Sequence, residues 1–272
     1  MWLALVFGIF GGLLAGLLGI GGGLIFIAVM PFMLAKVGVP QAILPAATIA
    51  NSILGTFFSS TMAMLVHHRG GTRAYGTILL IGLPALATAT LSLHYLVPQP
   101  WFSASVFNAI VLVLLTLLLA RMIKSFLKPE APVAAGQENK KPTFLATAGL
   151  FSGFVASVSG MGGGIIIVPV LRYYGQYALQ KANAISSGTI VLTSLSAIIS
   201  SILVSNQVHL PVPHFGYIVY EIVGPLVLGT LIGAPVGVRL SKGLPLRTIT
   251  IINIFLLLLI LGQKGYLLLY SN

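Results

Sequence analysis

Gly12-Leu-Leu-Ala-Gly-Leu-Leu-Gly-Ile-Gly-Gly-Gly23 returns in the second half of the chain as Gly153-Phe-Val-Ala-Ser-Val-Ser-Gly-Met-Gly-Gly-Gly164. One constant shift lays Gly12 on Gly153, Ala15 on Ala156, Gly19 on Gly160, and Gly21, Gly22 and Gly23 on Gly162, Gly163 and Gly164. The same shift brings Thr48 to Thr189, Ser59 and Ser60 to Ser200 and Ser201, and Pro84 to Pro225; Asn108 meets Asn253 after a small insertion. Apolar composition alone would scatter Leu and Ile matches without aligning glycine, proline, threonine and asparagine. The chain therefore reads as a duplication.

Each copy cuts a long apolar run with consecutive glycines. The chain as a whole is 57% hydrophobic and only 6% charged, where a soluble domain carries about 25% charged residues, so lipid is its natural solvent. The formal charge of +11 could suit nucleic acid. Most basic residues, however, fall in short gaps between apolar runs, as cytoplasmic loops of membrane proteins do. Absence of cysteine excludes disulfides, thiolate metal sites and thiol relays. Met1 to Leu18 is apolar but lacks a basic leader, and its pattern recurs at Gly149 to Ser159, so it reads as structure and not as a cleaved signal.

The expected fold class is all-α: a polytopic membrane protein of two inverted-topology repeats, each a Gly-tipped helical hairpin plus three transmembrane helices. The first repeat covers 1–122, with its hairpin at 2–35 and helices at 43–66, 75–97 and 101–122. Residues 123–142 form a polar linker. The second repeat covers 143–272, with its hairpin at 143–174 and helices at 184–204, 215–238 and 246–269. The helices are about 20 residues or a little more, enough to span hydrocarbon, whereas the hairpin arms are shorter. A single crossing through each broken run would divide Lys and Arg almost evenly between the two sides. A hairpin that returns to its own side leaves every Lys and Arg except Lys36 and Lys264 on one face, as the positive-inside rule requires. A hairpin plus three crossings starts the second half from the opposite side. Inverted repeats with interrupted helices are a recurrent plan of secondary transporters. Both termini are then outside and the linker cytoplasmic.

A glycine break survives in hydrocarbon only where it is buried in protein or lines a wet cavity. Helices resuming after such breaks present unpaired N–H groups and partial positive charge, which suit an anion. Gly21, Gly22, Gly23, Gly162, Gly163 and Gly164 are therefore candidate substrate-binding residues; tight packing through small residues is the competing use. The next helix of each half offers hydroxyls and an amide, with Thr48, Asn51, Ser52, Thr189 and Thr193 as candidates against the alternative of bonding to their own helix. Asn108 and Asn253 read as a symmetric pair that either bonds between helices or reaches the cavity, with the structural role favoured. Glu221 is the carboxylate within an apolar run and the candidate coupling residue, for a proton or cation; about two turns from the outer end, it fits an interfacial role equally well. His94, His209 and His214 match no ligand spacing, so no metal is expected. No Walker sequence occurs, and Gly-x-Gly-Gly-Gly lacks a βαβ context.

The two glycine stretches quoted above, with the Thr-rich helix after each, resemble the TauE/SafE sulfite-exporter family of bacterial membrane permeases. The resemblance covers the chain apart from the linker; Ser157 stands in the second copy where the first has Gly16. It implies carriage of sulfur-containing organic or inorganic anions such as sulfite or a sulfonate, and a place in the bacterial inner membrane. The expectation is a secondary transporter working by alternating access, not an enzyme, with a small anion and the lipid bilayer as partners. No cofactor, nucleic acid or particular oligomer is implied. An anion channel and a permease for a non-sulfur organic anion are the alternatives. An intramembrane hydrolase around Ser157 or Ser159 lacks an evident base, and a non-transporting subunit would show no flux.

Overall fold

The computed structural model describes residues 2–69, 74–127, 138–204 and 208–270. Among them the chain forms α1 (Trp2–Leu18), α2 (Gly23–Lys36), α3 (Leu44–Arg69), α4 (Tyr75–Tyr95), α5 (Ala104–Leu127), α6 (Pro142–Ser159), α7 (Gly164–Pro169), α8 (Leu179–Val204), α9 (Tyr220–Gly243) and α10 (Leu246–Tyr270). A 3₁₀ turn, Gln41–Ile43, leads into α3, and a π-helical turn, Val170–Tyr174, continues α7. The protein is a multi-pass, all-α membrane protein: α3, α4, α5, α6, α8, α9 and α10 are long and apolar enough to cross a bilayer, and α1, α2 and α7 with its π turn are shorter.

Both glycine breaks reverse the chain. A Cβ at Gly22 would lie 2.9 Å from the Gly11 carbonyl oxygen, and one at Gly163 would lie 2.9 Å from that of Ser152. Residues so far apart along one straight helix could not meet, so α1–α2 and α6–α7 are helical hairpins. Each first arm ends in a left-handed glycine, Gly19 at φ +67 and Gly160 at φ +71, whose amides close on Ala15 and Ala156 at 3.0 and 2.8 Å. This is the usual way a helix stops at glycine.

The arms are held by stripes of small residues on helices of the other half. Gly8, Gly12 and Gly16 of α1 face Gly229, Gly233 and Gly237 of α9. A Cβ at Gly12 would stand 2.8 Å from the Thr230 carbonyl oxygen and 2.9 Å from the Ala234 nitrogen. Gly149 and Gly153 of α6 lie as closely on Ile81 and Ala85 of α4. Such approach is how helices associate where lipid removes the hydrophobic drive. α3 and α8 pack together between these pairs. In their apolar windows 61% and 67% of residues are buried, against 22% in α5 and in α10. The α5–α10 pair is therefore peripheral, and large apolar side chains such as Leu117, Phe255 and Leu259 remain exposed on it, where acyl chains would cover them.

Several details differ from the sequence reading, among them the start of α8 at Leu179 where 184 was expected. The helix expected from 215 begins at Tyr220, because His214–Phe215 and Ile218–Val219 pair as an antiparallel two-strand turn around Gly216 at φ +56. α5 runs on to Leu127, so the start of the expected linker is helical; residues 128–137 of that linker lie outside the described residues. Lys264, expected within the helix 246–269 and counted with the charge of the outer side, is fully buried on α10.

Candidate functional site

The two tips meet inside the protein. A Cβ at Gly23 would stand 2.7 Å from Met161 Cα, and one at Gly164 2.8 Å from Ile20 Cα. The Thr56 methyl lies against both, 2.6 Å from the Cβ position of Gly21 and 2.5 Å from that of Gly162. Backbone therefore fills the space between the tips, and a solute has room only beside them.

Polar groups of α3 and α8 bind the tips crosswise. Ser52 Oγ donates to the Gly160 carbonyl and Ser186 Oγ to the Gly19 carbonyl, both at 2.7 Å. Each hydroxyl satisfies a carbonyl left over where an arm ends. Ser59 Oγ accepts from the Gly22 amide at 3.3 Å. The amides of Gly23, Leu24, Gly164 and Ile165 have no acceptor among the described residues. The structure thus pairs Ser52 with Ser186, Ile49 with Asn183 and Thr56 with Ile190 in contact with the tips. The sequence match had paired Thr48 with Thr189. The two pairings differ by about two helical turns, which keeps the face and changes the depth.

The other hydroxyl and amide candidates fare differently. Thr48 and Thr189 are buried and their hydroxyls lack a partner. Thr193 Oγ1 donates to its own helix at Thr189, 3.0 Å away. Asn51 is fully engaged: Nδ2 donates to the Ala47 and Tyr217 carbonyls at 2.7 and 2.8 Å, and Oδ1 accepts from the Val219 amide at 2.9 Å. It fastens the two-strand turn to α3 and has no donor left for a solute. Glu221 is exposed in the first turn of α9. The ring nitrogens of His214 lie 2.9 Å from the Val212 carbonyl and 3.0 Å from the Val208 carbonyl, with the tautomer deciding which one donates. No group of three metal-ligating side chains occurs among the described residues. Ser157 and Ser159 donate to their own helix at Phe154 and Val155.

Beside the tips lies a cavity of about 90 Å³, several times what one water needs. Ile20 and Ile165 of the tips, Asn183 of α8, Asn253 of α10, Arg121 of α5 and Arg172 of the π turn line it. Asn183 and Asn253 are 3% and 9% exposed, and their Oδ1 atoms have no partner. The arginines stack on aromatic rings: Arg121 lies 4.3 Å from the Tyr173 centroid and 5.2 Å from that of Tyr174, and Arg172 lies 5.6 Å from Tyr173. Such stacking holds a guanidinium without neutralising it. Glu138, a carboxylate at the same end of the bundle, is taken by Lys181 at 2.7 Å and Lys140 at 3.5 Å. Among the described residues the cavity therefore combines two guanidinium charges with side-chain amides in a low-dielectric setting, where charge acts strongly. A larger crevice of about 930 Å³ adjoins it at Arg121, Ile165 and Tyr173 and is walled mainly by apolar side chains such as Leu117 and Phe151.

Sequence reasoning counted Arg121 and Arg172 as loop charge, gave the cavity as the less favoured of two places for Asn253 and passed over Asn183. The available signal was an arginine at each apolar boundary flanking a glycine hairpin.

The profile of the sulfite exporter TauE/SafE family matches residues 4–263. A "probable membrane transporter protein" of Methanocaldococcus jannaschii is 24% identical over 88% of this chain and 86% of its own length. One of Haemophilus influenzae is 24% identical over 91% of both chains. One of Bacillus subtilis, YunE, is 24% identical over 96% of both. No solved structure matches the chain.

Proposed function

Since the chain belongs to the sulfite exporter TauE/SafE family, we propose that this membrane transporter carries a small sulfur-containing anion, such as sulfite or a sulfonate, by alternating access between two inverted repeats. The observation that carries the reading is the cavity beside the paired tips, where Arg121 and Arg172 meet Asn183 and Asn253 with no carboxylate among the described lining residues. Guanidinium forks match oxyanions in shape and charge. Crosswise packing supports the inverted plan: α1 on α9 mirrors α6 on α4, and Ser52 mirrors Ser186. In this plan the linker end of the bundle is cytoplasmic, and the cavity opens toward it. Ile20 and Ile165, next to the glycines of the two tips, form the inner wall of the site, and the unpartnered Ile165 amide adds its dipole to the arginines' charge.

Uptake by purified protein in proteoliposomes tests the reading. Gly22→Val and Gly163→Val are expected to abolish thiosulfate and sulfite flux while the protein still inserts, and Arg121→Met to lower it at least ten-fold. Counter-flow stimulation indicates a carrier, whereas single-channel current indicates a channel. Wild-type flux in both glycine variants refutes the site. Thermal stabilisation by a carboxylate equal to that by a sulfur anion of the same size refutes the substrate class.

A further inference from the structure

α5 and α10 run antiparallel, and two contacts fix their register. Lys264 meets Asn108 at one end, and Arg247 stacks on Phe126, 5.2 Å from its centroid, at the other. Each helix carries an asparagine near its start and a cation roughly three turns later. The register therefore sets an asparagine of one helix beside a cation of the other at both ends: Asn253 with Arg121 toward the linker, Asn108 with Lys264 toward the C-terminus.

The two ends are in opposite states. Arg121 and Asn253 both line the cavity without a hydrogen bond between Arg121 and Asn253 Oδ1, which is unpartnered. Lys264 is fully buried; its Nζ donates to Asn108 Oδ1 at 3.1 Å and lies 5.1 Å from the Phe107 centroid. Its neighbour Gln263 donates to the Ala28 carbonyl of α2 at 2.7 Å, tying this end to the first hairpin. No carboxylate bonds the ammonium among the described residues. The charged groups of the surrounding helices lie elsewhere: Arg121 and Lys124 at the far end of α5, Lys36 at the end of α2, and none on α1. A buried cation lacking a counter-ion is disfavoured, and ionisable groups kept inside a membrane usually serve function.

We propose that Lys264 and Asn108 form the anion-binding pair of the alternate state, an inference that rests on the anion-carrier reading. In the state seen here their hydrogen bond closes the terminal end while Arg121 and Asn253 face the open cavity. When access switches, the roles exchange: Lys264 leaves Asn108, and its ammonium receives the oxyanion from the other side. The buried charge then has its counter-ion in the substrate.

The cysteine-free chain allows a direct test. Val111 is buried on α5, one turn deeper than Phe107, and Val111→Cys can be probed with a membrane-impermeant thiol reagent from the terminal side. Labelling is expected to proceed slowly and to be slowed further by thiosulfate. With Lys264→Met or Lys264→Gln added, protection should need at least ten-fold more thiosulfate and uptake should fall at least ten-fold. Gln keeps a hydrogen bond to Asn108 without the charge, so it separates latch from ligand, and Lys264→Arg should restore part of both. Monodisperse protein on size exclusion checks that the variants fold. Wild-type uptake and protection in Lys264→Gln overturn the proposal, as does a Val111→Cys that never reacts. If wild-type vesicles move no sulfur anion, the carrier reading fails instead; protection that still depends on Lys264 would then keep the anion site.

Discussion

The first hairpin holds Gly22 right-handed at φ −75 and resumes as a full helix, α2. The second holds Gly163 left-handed at φ +78 and resumes as six α-helical residues before the π turn. Their tethers differ as well. Ser59 Oγ of α3 donates to Thr56 of its own helix and also accepts the Gly22 amide, while Thr193, at the matching depth of α8, donates to Thr189 and takes no amide of the second tip among the described residues. One glycine motif thus supports a fastened tip and a looser one. The looser arm is the one whose π turn carries Arg172 and Tyr173 to the cavity, and π turns recur at functional sites because they redirect side chains. On the proposed site, this difference predicts that the first hairpin is the fixed wall and the second the adjustable one.

The largest effect should come from wedging the tips apart. Valine at Gly23 must displace Met161 backbone, and valine at Gly164 must displace Ile20 backbone. Overpacking by extra methyl groups costs about 1–3 kcal/mol and sometimes more, so both variants should lose at least ~3 kcal/mol in detergent unfolding titrations. Gly164→Val is expected to lose less than Gly23→Val, because the π turn behind it can yield. Equal losses would erase the distinction between the hairpins.

A smaller and even effect is expected from the crosswise caps. Ser52→Ala and Ser186→Ala each leave a buried carbonyl unsatisfied, at about 1–3 kcal/mol. Similar midpoint shifts in the same titration support the pairing of Ser52 with Ser186. A costly Ser52→Ala beside a neutral Ser186→Ala would break it and return attention to Thr48 and Thr189.

That pairing marks where the sequence stopped being readable. The breaks themselves were legible, since triple glycine in an apolar run leaves few alternatives. The depth of α8 against the tips was not: a slip of about two turns preserves the helical face, so aligned identities at Thr48 and Thr189 and at Ser59 and Ser200 outvoted contacts that no sequence displays. The 214–219 turn was hidden because Phe215, Tyr217, Ile218 and Val219 read as helix as readily as strand, with Gly216 the one break between them. Arg121 and Arg172 were taken for loop charge because each ends an apolar run. Their place in the cavity follows from α5 continuing past them in one case and from the π turn in the other.

The smallest effect tests the tether itself. Ser59→Ala removes the acceptor of the Gly22 amide, a contact worth about 1 kcal/mol. Thr193→Ala removes a hydroxyl bonded within its own helix and should stay within ~0.5 kcal/mol of wild type. Hydrogen exchange reads the consequence locally. In the wild type the second tip should exchange faster than the first, because no side chain holds its glycine amides. Ser59→Ala should raise the first tip toward that rate and leave the second unchanged. If instead both tips slow or quicken together, they move as one body, and the cavity would be remodelled by displacement of the joined tips and not by the second hairpin alone.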